Sequence, residues 1–220
     1  MRQRLCLCAV LAAAGCGSSN NPTAPSGSHL VSFFVTSETS ATGNLGGLAA
    51  ADATCQRLAS AAGYGLRVWR AYLSVERDAA NNNQPTHARD RIGVGPWYNV
   101  SQTLIANNVA ELHSRSGDAS LFLDERGQRI NGQWTGSPGP NQHDILTGSM
   151  ADGTLAAGAT CADWTSTSSA IAAQVGHSDG LGPNQNAAPP LNSWNAAHAS
   201  LSCADTAPRG GAGRFYCFAR

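Results

Sequence analysis

The stretch from Gly46 to Val75 constrains the fold more than any other part of the chain, because it joins a helical pattern to a strand pattern. Its first half repeats apolar residues every three or four positions, as one buried helix face does. The predicted buried face consists of Leu48, Ala51, Cys55, Leu58, Ala59 and Ala62. The residues expected to point away from it are Asp52, Gln56 and Arg57. Because Cys55 lies in the middle of this face, any disulfide that it forms must join the helix to another core element.

The same stretch changes its period after Gly63 and Gly65, which are expected to end the helix. The residues that follow alternate between two faces, as in a strand with one apolar side. The apolar face is predicted to hold Trp69, Ala71, Leu73 and Val75, and the other face Val68, Arg70, Tyr72 and Ser74. We therefore expect a helix packed on a sheet.

Residues 1–15 are predicted to be a lipoprotein signal peptide, since Arg2 and Arg4 precede an apolar run and small residues that lead up to Cys16. This pattern resembles the lipobox of bacterial lipoproteins, in which the cysteine is lipidated; an ordinary secretory signal is the alternative. Residues 16–29 read as a Ser/Asn/Pro/Gly tether, and residues 30–220 as one domain. We expect an exported protein that a lipid anchors in the bacterial cell envelope, at the outer membrane or the cell surface.

The cysteines support export. Of the seven cysteines, Cys6 and Cys8 would leave with the signal peptide and Cys16 would carry the lipid. The even set that remains is Cys55, Cys161, Cys203 and Cys217. In an exported domain this set predicts two disulfides, with three possible pairings. A zinc site is disfavoured because the sequence has no CxxC or HxxxH spacing.

The charge of the chain disfavours nucleic acid as a partner. The formal net charge is zero, and loss of Arg2 and Arg4 would leave about −2. Binding to a phosphate backbone needs a basic surplus that releases counterions.

The rest of the chain contains shorter patterns between long polar stretches. We expect a brief helix over Ile105 to Leu112, and strands over Leu121 to Gln128, Gly132 to Gly136, Ala197 to Ser202 and Arg214 to Phe218. Residues 137–158 and 179–190 are expected to be long loops, which in a compact domain are usually functional or stapled.

Several segments, taken in order, carry a family resemblance. They are Gly43-Asn44-Leu45-Gly46-Gly47-Leu48-Ala49, Asp52 with Cys55, Trp69-Arg70-Ala71-Tyr72-Leu73-Ser74, Arg89-Asp90-Arg91, Trp134-Thr135-Gly136, Cys161-Ala162-Asp163-Trp164-Thr165-Ser166, Cys203 and Phe215-Tyr216-Cys217. Together they resemble the endostatin-like domain, the C-terminal domain of certain collagens and of bacterial lipoprotein relatives. The resemblance covers about Val31 to Arg220.

This resemblance implies the C-type lectin-like fold, an α+β domain with a twisted antiparallel sheet, packed helices and long loops. It also implies two nested disulfides, Cys55–Cys217 and Cys161–Cys203. Animal endostatins bind zinc through clustered N-terminal histidines, whereas here only His29 lies near the domain start. The calcium triplets of C-type lectins are incomplete in this chain. We therefore expect no metal and no cofactor.

The motifs that suggest catalysis are not flanked by the secondary structure that catalysis would need. Gly176-His177-Ser178-Asp179-Gly180 matches G-x-S-x-G, but the following Gly182 and Pro183 disfavour the helix that a nucleophile elbow needs. Asp124 and Glu125 are adjacent in a predicted strand and should point to opposite faces. The remaining candidates are six scattered histidines, expected at the surface or in loops: His29, His87, His113, His143, His177 and His198. No enzymatic activity is expected.

The expected function is therefore binding. The bacterial endostatin-like lipoproteins are known for adhering to host matrix or serum proteins, which implies an adhesion module for extracellular protein ligands. The candidate ligand contacts on the long loops are Asp179, Asn184, Trp194 and Asn195. An alternative is an anionic-glycan site made of Arg67, Arg70, Arg89 and Arg91, although ion pairs with neighbouring carboxylates are favoured for these arginines. An unrecognised hydrolase is the third possibility.

Overall fold

A computed structural model of the protein describes residues 30–220. The expected signal peptide, the lipidation site Cys16 and the tether lie outside the described residues. Within them the protein is a mixed α+β domain with one six-stranded sheet and two small hairpins. None of the helices in this part of the chain is both long and apolar enough to cross a membrane.

The elements alternate with long connections. The strands are β1 (Phe33–Val35), β2 (Trp69–Ala71), β3 (Val75–Asp78), β4 (Gln84–Thr86), β5 (Trp97–Tyr98), β6 (Leu104–Ala106), β7 (Asp144–Leu146), β8 (Gln174–His177), β9 (His198–Ala199) and β10 (Gly211–Ala219). The helices are α1 (Leu48–Ala61), α2 (Val109–Ser114) and α3 (Cys161–Trp164), and 3-10 turns cover Ala79–Asn81, Ala88–Arg91 and Pro183–Gln185.

The predicted first helix is confirmed as α1. Gly47 begins it with a φ of 83° and Gly63 follows its end with a φ of 87°, angles that favour glycine. Its buried apolar residues are Ala51, Cys55, Leu58 and Ala59. The prediction for Asp52 is wrong: this carboxylate is buried and accepts hydrogen bonds from the backbone of Ala71 and from Arg91.

The six-stranded sheet has the order β1-β10-β7-β8-β9, and β2 also pairs with β10. The resemblance implied a twisted antiparallel sheet, and one pair departs from it, because β10 and β7 run parallel. All other pairs in this sheet are antiparallel. The pair is parallel because residues 147–210, which include β8 and β9, bring the chain back to the end of the sheet at which β7 began, so that β10 starts beside Asp144.

Both faces of this sheet are buried. In β10, Phe215 and Cys217 belong to a core that contains α1, whereas Tyr216 and Phe218 belong to a second core on the other face. The segment after α1 follows the same rule: Leu73 faces the first core and Tyr72 the second. The expected strand with only one apolar face is therefore wrong, since the sheet separates two apolar layers.

Several shorter predictions also need correction. The expected helix over 105–112 divides into β6 and α2, because the Asn108 side chain accepts from the backbone N–H of Glu111 and caps α2. No strand covers 121–128, where the Asp124 carboxylate accepts from two backbone N–H groups and forms a turn. Residues 132–136 form bends and turns, and the expected loop 137–158 contains β7. The final strand is confirmed within β10.

Two disulfides join distant parts of the chain, with the pairing that the resemblance implied. Cys55 and Cys217 connect α1 to β10 with 5.5 Å between their Cα atoms. Cys161 and Cys203 connect α3 to the segment before β10. All four residues of α3 have positive φ, so α3 is a left-handed turn, a conformation that costs about 1–2 kcal/mol per residue without glycine. The disulfide and the buried Trp164 hold this turn in place.

Removing each disulfide should destabilise the protein according to the loop that it closes. We expect Cys55→Ala with Cys217→Ala to lower the free energy of unfolding by up to about 5 kcal/mol, and Cys161→Ala with Cys203→Ala by up to about 4 kcal/mol. The loops span 162 and 42 residues. Equilibrium urea denaturation measures both values. A Cys55/Cys217 variant within 1 kcal/mol of the wild-type protein would contradict this prediction.

The buried ion pair of Asp52 should matter far more than an exposed one. Asp52→Asn leaves the buried guanidinium of Arg91 without a charge partner and should cost about 3–5 kcal/mol in unfolding free energy. The matched control is Glu38→Gln, which breaks the exposed pair with Arg57 and should cost less than about 1 kcal/mol. Thermal and urea denaturation of the two variants provide the comparison, and equal losses would refute it.

Candidate metal centre

Three neighbouring strands bring polar side chains to one end of the main sheet. Asp144 begins β7, and its cross-strand partner in β8 is His177. His198 in β9 pairs with Val175, which lies two residues before His177 and therefore shares its face of the sheet. The side chains of Asp144, His177 and His198 consequently meet on the same face.

His143 completes the cluster from the residue before β7. Its Nε2 atom lies 3.3 Å from Oδ1 of Asp144, and its ring stacks on that of His177 with 4.2 Å between the ring centroids. The same oxygen of Asp144 lies 3.4 Å from Nε2 of His177 and 3.6 Å from Nε2 of His198. The two latter nitrogens are 2.9 Å apart. Three ring nitrogens thus lie near one oxygen of Asp144, and we call these four side chains the His/Asp centre.

The other ring nitrogen of each histidine contacts an acceptor that has no proton to donate. Nδ1 of His143 lies 2.7 Å from Oδ1 of Asp179. Nδ1 of His177 lies 2.7 Å from the carbonyl oxygen of Leu191, and Nδ1 of His198 lies 2.9 Å from the carbonyl oxygen of Ala199. Each Nδ1 must therefore carry the proton, and in a neutral ring Nε2 then has only a lone pair.

When the rings are neutral, the His/Asp centre therefore contains several lone pairs but no hydrogen-bond donor that could share them. Three Nε2 lone pairs face the carboxylate of Asp144, and neither oxygen of that carboxylate has a hydrogen-bond partner among residues 30–220. Asp144 and His143 are 2% exposed and His177 is 1% exposed, so these three groups are shielded from water, whereas the side chain of His198 is 27% exposed. An unpaired buried carboxylate is costly. This arrangement calls for a cation at its centre.

Burial also disfavours charge on the separate groups. Burial raises the pKa of Asp144 to about 6, and the nearby histidines only partly oppose this. Burial, together with His143 and His198, lowers the pKa of His177 to about 4. Burial acts against the charged form of Asp179 too, but hydrogen bonds from His143 and from two backbone N–H groups outweigh it and lower its pKa. Asp179 is therefore a carboxylate that orients His143.

Part of the geometry suits a transition metal. Zinc bonded to four ligands at about 2.0–2.1 Å places neighbouring ligand atoms about 3.3 Å apart, and the three Nε2 atoms lie 3.3–3.6 Å from Oδ1 of Asp144. The ligand atoms of His143, Asp144 and His177 all lie within 4.8 Å of one another. An acceptor on the second nitrogen of each ring is what metal-binding histidines usually have. Because the rings of His143 and His177 are stacked and an imidazole lone pair lies in its ring plane, one of these rings must turn before both bind one ion.

The expectation that the histidines are scattered at the surface or in loops is wrong for this cluster. The ligands come from positions 143, 144, 177 and 198, and no local spacing motif joins them. The available signals were a His-Asp pair directly before Ile145-Leu146 and a second histidine directly after Gln174-Val175-Gly176. Neither becomes informative until the order of β7, β8 and β9 is known.

Most of the loop residues that were expected to contact a ligand are buried inside the domain. Trp194 is fully buried and packs against Tyr72 and Tyr216 in the second core. Asn195 is 1% exposed and donates to the hydroxyl of Tyr72. Asp179 is buried against His143, so Asn184 is the one member of this set that is exposed. The prediction that a partner contacts Trp194, Asn195 and Asp179 is therefore wrong, because all three side chains are buried and contact other residues of the domain.

Three of the four arginines in the expected cluster form ion pairs. Arg91 and Arg70 both bind Asp52, at 2.8 and 3.0 Å. Arg89 lies 3.7 Å from Asp90 and from Asp152. For Arg67, partial burial lowers the pKa. A cleft of about 630 Å³ beside α1 is lined by three arginines and three aspartates, so its charges balance and give little advantage to an anionic glycan; they are Arg70, Arg91, Arg220, Asp52, Asp78 and Asp90.

The G-x-S-x-G segment is not arranged for catalysis. It begins with the last two residues of β8, and a turn rather than a longer helix comes after it. His177 and Asp179 both contact His143, while the hydroxyl of Ser178 is buried and without a hydrogen-bond partner in the described part of the chain. Glu125 is also occupied, since it accepts from the backbone and the hydroxyl of Ser37. Neither the G-x-S-x-G segment nor Glu125 therefore provides a nucleophile paired with a general base.

Comparison with known proteins assigns no family. No protein-family model matches the sequence, and no curated protein shows significant similarity to it. Function is therefore inferred from the chemistry of the His/Asp centre and from the residues around it.

The two asparagines of the expected ligand set should differ in their effect on stability. Asn195→Ala removes hydrogen bonds to Tyr72 and to two backbone carbonyls in the interior, and should lower the unfolding free energy by about 2–3 kcal/mol. Asn184→Gly, which suits the φ of 56° at this exposed position, should change it by less than about 0.5 kcal/mol. Urea denaturation distinguishes the two, and a larger loss for Asn184→Gly would show that the assignment is reversed.

Proposed function

We propose that this protein is an exported, lipid-anchored binding module of the endostatin-like type whose recognition loops are held by one zinc ion. The ligands are His143, Asp144, His177 and His198. One observation carries the proposal: three imidazole Nε2 atoms, none of which has a proton to donate in a neutral ring, lie 3.3–3.6 Å from one oxygen of the buried, unpaired carboxylate of Asp144.

Protons are a poorer cation for this centre than a metal ion. To satisfy Asp144 and the close pair of His177 and His198, at least one ring must carry two protons, because each Nδ1 proton is already used. A second imidazolium would repel the first across stacked rings in a buried site. A single divalent ion accepts all four electron pairs at once and needs no extra proton.

The donor set favours zinc among divalent ions. Calcium and magnesium prefer oxygen ligands and coordination numbers of six or more, whereas three of the four donors here are imidazole nitrogens. Three histidines and a carboxylate are a donor set that suits Zn²⁺, and four protein ligands fill its shell. A filled shell leaves no position for substrate or activated water, which is typical of a structural site and agrees with a binding role.

The surroundings of the centre support recognition. Asp179 and Leu191, which hold His143 and His177, stand at the two ends of a loop whose residues 183–190 are all exposed. Such loops on a rigid scaffold are common binding elements. In the proposed protein, the lipid on Cys16 attaches the domain to the cell envelope and these loops meet an extracellular protein. A cofactor other than the metal and a catalytic residue form no part of the proposal.

Zinc binding can be tested on the purified protein after removal of metal with a chelator. We expect one Zn²⁺ per chain in competition with a chromophoric chelator, and cobalt in its place should give the strong visible absorption of a tetrahedral site. His177→Gln should weaken zinc binding more than about 100-fold. The zinc-loaded protein should also unfold at a higher temperature than the metal-free protein.

The matched control is His87→Asn, which removes a histidine outside the centre but retains an acceptor for the backbone N–H of Leu155. This variant should bind zinc as the wild-type protein does. Circular dichroism of the metal-free proteins checks that both variants fold. Binding of less than about 0.2 zinc per chain, or equal binding by His177→Gln, would overturn the proposed site.

A further inference from the structure

The His/Asp centre holds one surface loop at both of its ends. We call residues 180–191 the distal loop. At its start, Asp179 accepts from Nδ1 of His143 at 2.7 Å and from the backbone N–H of Leu181 at 3.1 Å. At its end, the carbonyl oxygen of Leu191 contacts Nδ1 of His177 at 2.7 Å. Both attachments run through rings whose other nitrogen points into the centre.

The same carboxylate holds a second loop, residues 131–142, which we call the proximal loop. Oδ2 of Asp179 accepts from the backbone N–H of Gln133 at 2.6 Å. Gly132 lies so close to this carboxylate that a Cβ atom there would clash with it. The proximal loop ends at His143 itself. The two loops also touch each other, since the Gln185 amide donates to the hydroxyl of Thr135 at 3.1 Å.

The distal loop has few other means of staying ordered between these attachments. It contains no ionisable side chain, its residues 183–190 are all exposed, and its internal contacts are short-range bonds such as Gly182 N–H to the carbonyl oxygen of Asn186. Segments with few buried apolar contacts have low local stability. The contacts of Asp179 and Leu191 with the centre therefore dominate the order of the distal loop.

The proximal loop has further contacts. The indole N–H of Trp134 donates to the carbonyl oxygen of Ile130, and Arg214 donates to the side chain of Gln142. Asp179 therefore fixes the start of this loop, around Gln133, more than its later residues.

We infer that metal occupancy of the His/Asp centre controls the conformation of the proximal and distal loops, so that the proposed recognition surface is ordered in the zinc-loaded protein and mobile in the metal-free protein. This inference rests on the proposed function. A bound ion fixes the direction of each imidazole ring, and polarisation by the ion strengthens its Nδ1–H as a donor. Without the ion, the facing lone pairs repel, the rings turn, and Asp179 and Leu191 lose their partners.

Hydrogen–deuterium exchange of the purified full chain, with and without zinc, tests this inference. Zinc should slow exchange at least about tenfold at the amides of Leu181 and Gln133, which is the change expected when local opening becomes less favourable by about 1.4 kcal/mol. The internal control is the turn Ala79–Asn81, which is exposed and is not attached to the centre, so its exchange should not change. Elastase cleavage near Ala187 and Ala188 should slow in parallel.

Asp179→Asn separates the loop effect from metal binding. Because Asp179 contacts a ligand and is not a ligand itself, this variant should bind zinc only about 10–100-fold more weakly. At saturating zinc, its proximal loop should still exchange fast, since the charged acceptor for Gln133 is gone. Protection of that loop equal to the wild-type value would count against the inference.

The zinc content of each sample keeps the two proposals apart. Wild-type protein that holds one zinc per chain but shows no change in loop exchange would overturn the loop inference and leave the metal site standing. Wild-type protein that holds no zinc would overturn both the proposed function and the loop inference. Slower exchange in both loops, with one zinc bound, supports both.

Discussion

The parallel pairing of β10 with β7 is the interaction on which the rest of the structure depends. β7 has only three residues, and such a strand has no stability of its own without neighbours on both sides. Phe215 of β10 lies beside Leu146 on one side, and β8 pairs with β7 on the other. The disulfide of Cys217 fixes β10 to α1. If β7 slipped by one residue against β8, Asp144 would leave the face that carries His177 and His198.

The domain uses different means of stabilisation in its two halves. Around α1 and β10, two apolar layers cover the sheet, and the buried pair of Asp52 and Arg91 joins the helix to the segment after β2. The half that contains β7, β8 and β9 contributes to both cores, with Leu146 and Val175 in the first and Ile145 and Trp194 in the second, but long loops connect its strands. There the Cys161–Cys203 disulfide, and in the proposed protein the zinc-loaded His/Asp centre, add cross-links to the apolar packing. Small domains commonly rely on such cross-links.

The sequence was informative where order is local. Helical spacing and flanking glycines identify α1, a run of apolar residues identifies β10, and an even number of cysteines predicts two disulfides. It was uninformative where order comes from pairing between distant strands. β7 is too short for a detectable pattern and lies among glycines, prolines and asparagines, so the segment reads as a loop. The His/Asp centre was missed for the same reason, because its ligands lie together only after β7 to β9 pair.

The two cross-links of the loop-rich half differ in how they respond to the surroundings. A disulfide in an oxidising compartment persists once it has formed. A bound metal exchanges, and its contribution to stability grows with the concentration of free ion according to mass action. Because Asp179 and Leu191 transmit the state of the centre to both loops, the proposed recognition surface would depend on available zinc while the α1 half remains folded. This division follows from the positions of the cross-links, since the Cys55–Cys217 bridge lies in the half that contains no ligand of the centre.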